Sequence, residues 1–283
     1  MCGRFALFAS GGEIAQRFEL PHAPHLETRY NIAPMQTVAA VRASDSGREF
    51  RFLRWGLIPS WSIDPKIGNK LTNARAETVA SNPAFRSTFK QRRCLIPASA
   101  FYEWQQGKGK SKQPYCVWLR DEDLFALAGL WECWQRPQRP ILESCSLITT
   151  EANELMQPIF DRMPVIIDRV SEAVWLDPHA CIEELRSLLV PFASDRMEAF
   201  PVNPYVSSAR NEGPRCLEPV KACASEVIIH RVGAQFFPYV LIAQASIRNM
   251  DSGTRRRGSG QSLTRRVRSA RPLLTRVFVS ALS

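Results

Sequence analysis

Residues 92–106 read RRCLIPASAFYEWQQ. The stretch predicts a strand, a turn at Pro97 and a second strand. Working outward, short runs of the same kind recur on both sides. REFRFLRWGLIPSW (48–61) carries Phe50, Phe52 and Trp55 through a strand broken at Gly56 and Pro59. RYNIAPMQTVAAVR (29–42) is an extended loop leading into a Val/Ala strand. Downstream, PYCVWLR (114–120) and LFALAGLWECW (124–134) flank DED and read as a hairpin. CSLITT (145–150) and MPVIID (163–168) are buried strands, and EAFPVNPYV (198–206) is a final edge strand. Helical signals are few and short. GGEIAQRFEL (11–20) spaces Ile14 and Phe18 for one helix, which Pro21 stops. NARAETVASNPAF (73–85) reads as a polar loop leading into a short helix. EANELMQPIF (151–160) starts a helix that Pro158 ends or bends. SEAVWLD (171–177) and ACIEELRSLL (180–189) are short helices, Ser171 serving as an N-cap. Many strands with scattered helices predict an α+β chain around a closed or strongly curved sheet.

Composition narrows the class. The 283 residues are 45% hydrophobic, which is ordinary for a folded core. No run of 18 apolar residues exists, so no transmembrane helix is expected. The first residues lack the basic and apolar regions of a signal peptide. A cytoplasmic protein, nucleoid-associated if bacterial, is the expectation. The eight cysteines form no C-x-x-C pair and read as reduced thiols. The four histidines do not pair with cysteines at zinc spacing. His22 and His25 lie among prolines in a loop, so neither metal nor cofactor is expected. The net charge of +10 is uneven. Residues 248–283 hold nine arginines and one acid, which leaves +2 for residues 1–247. This Ser/Gly/Arg tail reads as disordered, and either as an inert extension or as polyanion-seeking. HRVGAQFFPYVLIAQA (230–245) is an apolar stretch of unassigned type.

The opening MCGRF poses the chemical question. If Met1 is removed, Cys2 carries an α-amine and a thiol on adjacent carbons, titrating near ~7.7–8.0 and ~8.5. Such an aminothiol condenses with an aldehyde through an imine to a five-membered thiazolidine. The alternative is a chance cysteine at a frayed terminus. Three further stretches combine polar groups with turn formers or aromatics: RYNIAP (29–34), NARAET (73–78) and FYEW (101–104). Asn73, Arg75 and Glu77 together are foreign to a core, because burying them unpaired costs several kcal/mol.

The ordered series MCGRF, RYNIAP, RWGLIPSW, NARAET, RRCLIPASAFYEW, LITTEAN, DRMPVI and RNEGPRCLEPV resembles the SRAP family. These SOS response-associated "peptidases" process abasic sites in single-stranded DNA. The resemblance implies one SRAP-type domain over 2–225, with a curved, barrel-like, mostly antiparallel β core and short peripheral helices. Residues 226–247 then form an apolar extension and 248–283 the tail. It implies that Cys2 attacks the aldehyde of an abasic deoxyribose, giving a stable thiazolidine crosslink. Asn73 matches the asparagine that holds cysteine and sugar, and Glu103 the catalytic glutamate. Proton shuttling of that kind is worth ~10²–10⁴-fold. Arg4, Arg75 and Arg162 match arginines along the DNA path, where the guanidinium fork suits phosphate. Asn31, Pro34, Met35, Trp55 and Trp61 fall in segments matching DNA-facing loops. Trp55 and Trp61 are each either a base-stacking platform or core. Thr149 and Thr150 are candidates for contacting the DNA backbone. One position departs from the family: Phe160 stands where a histidine is usual, and phenylalanine moves no proton. The expected partner is abasic single-stranded DNA, with the protein a monomer and no membrane attachment. Two other readings remain: a cysteine peptidase, which needs a base beside its thiolate, and a non-catalytic single-strand binder.

Overall fold

The computed structural model describes residues 2–107 and 109–220. The apolar extension expected at 226–247 and the arginine-rich tail lie outside the described residues. The strands are β1 (Phe5–Leu7), β2 (Arg29–Ile32), β3 (Thr37–Ser44), β4 (Gly47–Trp55), β5 (Asn73–Arg75), β6 (Arg93–Ala98), β7 (Ala100–Gln106), β8 (Lys112–Leu119), β9 (Phe125–Trp134), β10 (Leu142–Glu151), β11 (Arg162–Pro164), β12 (Ile166–Ile167) and β13 (Met197–Pro201). The helices are α1 (Gly11–Phe18), α2 (Arg86–Gln91), α3 (Glu172–Leu176) and α4 (Ile182–Ser187).

The stretch 92–106 divides between two sheets. β6 lies between β3 and β9, whereas β7 lies between β1 and β8. The expected turn at Pro97 does not form. Pro97 stays inside β6, opposite Ala126. The chain changes sheet at Ser99, whose N–H donates to Ala6 O (2.8 Å) and whose hydroxyl accepts from Phe8 N (3.2 Å). A serine that bonds the neighbouring backbone through both groups makes a better corner than a proline with no N–H.

The first sheet runs β13-β8-β7-β1-β2 and is antiparallel throughout. The second runs β11-β10-β4-β3-β6-β9-β12, and β10 also pairs with β9. The strands β10, β4, β3, β6 and β9 thus close into a ring. All pairings are antiparallel except those of β10 with β4 and β5. The α+β expectation holds, with the sheet closed on itself and the helices short and peripheral. Among the described residues no helix is long and apolar enough to cross a membrane.

Alternation along β1 divides the core. Phe5 and Leu7 join a large cluster with Val41, Leu53, Leu95 and Leu127. Ala6 faces a second, smaller cluster with Tyr102, Cys116, Val202, Val206 and Cys216. The segment after β13 covers this second face.

Helix α1 forms as its spacing predicts. Ser10 and Glu13 make a reciprocal capping box, Ile14 and Phe18 are buried, and Glu19 ends the helix in the left-handed region. Ser171 occupies the N-cap of α3 but makes no side-chain cap bond. Two local expectations are overturned. PYCVWLR and LFALAGLWECW are not a hairpin, because β8 and β9 belong to different sheets. Their connection is tied away from hairpin geometry by Glu122, which pairs with Arg196 (2.9 Å) and Arg17 (3.6 Å). EANELMQPIF makes turns, not a helix. Asn153 Oδ1 accepts from Met156 N (3.0 Å), offering the backbone an alternative to helix continuation. Finally, β4 ends at Gly56 with φ +135°, where a Cβ would stand 2.7 Å from Gly68 O. That close approach sets the loop 57–70, and only glycine permits it.

Candidate active site

Three strands bring three groups together. β1 enters the first sheet beside β7, with Phe5 opposite Phe101 and Tyr102 N donating to Arg4 O (2.9 Å). This register carries Cys2 toward Glu103, one residue further along β7. β5 lies against β10 and presents Asn73, whose Nδ2 donates to Cys2 O (2.9 Å). The turn before Asn73 is held from below. The indole Nε1 of the fully buried Trp55 donates to Thr72 O (2.8 Å). Trp55 is therefore core, and it supports the asparagine.

Cys2 is fully buried and Glu103 is 3% exposed. Glu103 Oε1 and Asn73 Oδ1 are both buried without a hydrogen-bond partner. Burial disfavours the carboxylate, and the charge of Asp161 adds to the effect, so Glu103 is pushed up from 4.5 to about 7. Near neutrality this carboxyl is divided between acid and base, so it can both give and take a proton. Burial, with the Glu103 charge second, pushes the Cys2 thiol well above its usual range. The sulfur is a protonated thiol whose weak hydrogen bond reaches Arg4 O (4.0 Å). An arrangement of thiol, titrating carboxyl and fixed amide suits addition to a carbonyl followed by loss of water.

The other sequence candidates divide by place. Arg162 makes a two-pronged pair with Glu77 (2.6 and 3.1 Å) and donates to Thr149 O (2.7 Å). Its bonds hold Glu77 below the ordinary carboxylate range. Arg75 is exposed beside this pair. Thr149 and Thr150 are buried, their hydroxyls donating to Ala74 O (3.4 Å) and Leu189 O (3.3 Å). Pro34 is half-buried and Met35 exposed, in the turn after β2. Met35 N donates to Trp55 O (2.8 Å), and its sulfur accepts from Arg54 (3.8 Å). Trp61 is 59% exposed at the tip of the loop 57–70, which Arg136 holds by donating to Ser60 O (2.7 Å). Arg4 and Asn31 point to the second cluster, away from Glu103. Phe160 is half-buried in the turn before β11.

Among the described residues no three His, Cys, Asp or Glu side chains gather as a metal site. Sequence reasoning missed the supports: Glu77 as the partner of Arg162, Arg54 and Arg136 as braces of the exposed loops, and Asp161 beside Glu103. Glu77 stood in the NARAET motif, so its signal was present. Arg136 acts through the distant carbonyl of Ser60 and Arg54 through the Met35 sulfur, so neither leaves a local pattern.

Comparison with known proteins gives the family and the fold. The family model described as SOS response associated peptidase (SRAP) matches residues 1–209. The abasic site processing protein YoqW of Bacillus subtilis is 43% identical over 223 residues, 77% of this chain and 99% of that one. The abasic site processing protein HMCES of Gallus gallus is 34% identical over 206 residues, 63% of this chain and 60% of that longer protein. A crystal structure of a Bacteroides thetaiotaomicron protein is 28% identical, with a TM-score of 0.70, and covers 77% of this chain and all of that one.

Proposed function

The chain belongs to the SOS response associated peptidase family, and on that premise we propose that it processes abasic sites in single-stranded DNA by covalent attachment through Cys2. Removal of Met1 frees the Cys2 amine. The amine adds to the open-chain aldehyde of the abasic sugar, giving a carbinolamine. Loss of water gives an imine. The thiol then adds across the C=N bond, carbon–sulfur bond formation closes the thiazolidine, and the thiol proton ends on the ring nitrogen. One water is lost overall.

Glu103 serves both proton transfers. As carboxylate it takes the proton that the attacking amine sheds, and as acid it protonates the departing hydroxyl. With Phe160 in the neighbouring turn, Glu103 does this without a histidine. Asn73 fixes the Cys2 carbonyl and so the direction of amine and thiol. Arg75 and Arg162 are the phosphate contacts of this proposal, and the exposed Trp61 and Met35 are its base contacts. The protein acts as a cytoplasmic monomer in this reading. The observation that carries it is the burial of Cys2 and Glu103 around Asn73, with Glu103 Oε1 free to meet a substrate. A peptidase fits less well: the thiol's neighbour is a carboxyl, and burial holds the sulfur protonated.

The test is a labelled single-stranded oligonucleotide with one abasic site, run on a denaturing gel after boiling. The parent should give a shifted band. Cys2→Ser and a form with residues retained ahead of Cys2 should bind the strand yet give none. A heat-stable band from either would overturn the mechanism.

A further inference from the structure

Arg4 and Asn31 sit inside the motifs MCGRF and RYNIAP, yet their side chains are spent on the protein. Asn31 is fully buried. Its Nδ2 donates to three backbone carbonyls of one segment: Val206 (3.2 Å), Ser208 (2.9 Å) and Asn211 (2.7 Å). Its Oδ1 accepts from Arg4 Nη1 (2.8 Å), which also donates to Val206 O (2.9 Å). Arg4 Nε returns to Gly3 O (3.2 Å), and the guanidinium lies 5.5 Å from the centre of the Trp104 ring. Trp104 Nε1 donates to Ser207 Oγ (3.0 Å), on the same segment. Glu212 fastens that segment to β2, accepting from Tyr30 N and from Arg29 Nε (3.0 Å), and Asn211 Nδ2 braces it from within by donating to Tyr205 O (2.6 Å).

We infer that Asn31 and Arg4 are positioning residues: they clasp the strap 203–217 to the back of the first sheet and thereby fix the Gly3–Arg4 backbone that aims Cys2 at Glu103. This inference rests on the crosslinking reading and gives it a second, non-contacting layer. Cys2 precedes the first paired residue of β1, so the ladder alone does not hold it. Its backbone is held on one side by Asn73 and on the other by the Arg4 bond to Gly3 O. Loosening the strap frees the guanidinium, then Gly3, then the nucleophile. A misplacement of about 1 Å at a reacting group costs on the order of 100-fold. The opposing assignment is that Arg4 and Asn31 touch DNA directly.

The test uses the full chain with Met1 removed and three variants: Asn31→Ala, Arg4→Ala and Asn211→Ala. Asn211→Ala loosens the strap without altering either clasping side chain. Single-turnover crosslinking to an abasic oligonucleotide should show the saturated rate falling ~10- to 100-fold. The half-saturating DNA concentration, and its dependence on salt, should stay as in the parent. A raised half-saturating concentration with a flatter salt dependence and an unchanged saturated rate would assign these residues to DNA and overturn the inference. Alkylation by iodoacetamide, mapped by peptide mass, reads the clasp without DNA. Cys2 should be modified at least ten times faster in each variant, while Cys94, buried in the ring, stays protected. Equal exposure of Cys2 and Cys94 would mean general loosening and would also overturn it. A parent that forms no adduct, with Cys2 alone exposed in the variants, would sink the crosslinking reading and leave the clasp standing.

Discussion

Glu103→Gln is the most informative perturbation, because a strained ionisation should be visible in stability as well as in rate. The parent carboxyl is displaced from 4.5 to about 7 by burial. A raised carboxyl pKa means that the folded state holds a proton which the unfolded chain releases. Stability contributed by the neutral acid is therefore full below about pH 4.5 and is lost as pH rises through 7. The displacement corresponds to about 3 kcal/mol by which the ionised Glu103 weakens the fold at pH 8. Glutamine has the same shape and no charge. At pH 8 the variant should unfold later, by ~6–12 °C at about 2–4 °C per kcal/mol for a domain of this size. At pH 4.5 the two proteins should melt together. Thermal unfolding of both across pH 4.5–8 measures this, and crosslinking by the stabilised variant should be ~10²–10⁴-fold slower. A stabilisation of the same size at both ends of the range would show instead that Glu103 is not held above its ordinary pKa.

Asn73→Ala removes the donor to Cys2 O and should lower the saturated crosslinking rate ~10- to 100-fold, read by single-turnover kinetics with intact-strand binding as control. Trp61→Ala should weaken single-strand binding by about 1–3 kcal/mol with little change in melting, since the ring is 59% exposed. Trp55→Ala should instead destabilise the fold by about 3–5 kcal/mol, because that ring is fully buried and supports Thr72. Phe160→His puts a proton carrier at the position where the family resemblance expects one and should speed crosslinking on the order of 10- to 1000-fold, with an added limb in the pH–rate profile. An unchanged rate and profile would remove Phe160 from the account.

The chain's local patterns reported burial well and partners poorly. Helix α1 was legible because Ser10, Glu13, Ile14 and Phe18 are all near neighbours in sequence. β8 and β9 were recognisable as strands, but alternation names a face, not the strand that will pair with it. Their misreading as a hairpin followed from that, and ring closure through β10 and β9 leaves no local mark. Asn153 undid the helix expected over 151–160 through its own side chain. At the site, Cys2 was singled out by its place behind Met1 and Asn73 by its polar neighbours Arg75 and Glu77, whereas Glu103 was named only through the family resemblance. Neither motif nor spacing distinguished Arg4 and Asn31, which turn to the back of the sheet, from Arg75, which is exposed. That distinction is made by strand parity within β1 and β2 and by the segment 203–217, nearly 200 residues away.

Intact mass spectrometry of the full chain, before and after incubation with one abasic oligonucleotide, decides whether attachment runs through a freed Cys2. The account predicts a protein lacking Met1, and a boiled product heavier by one oligonucleotide less one water. A chain that keeps Met1 and still gains the strand permanently, or one that lacks Met1 and gains nothing, would contradict it.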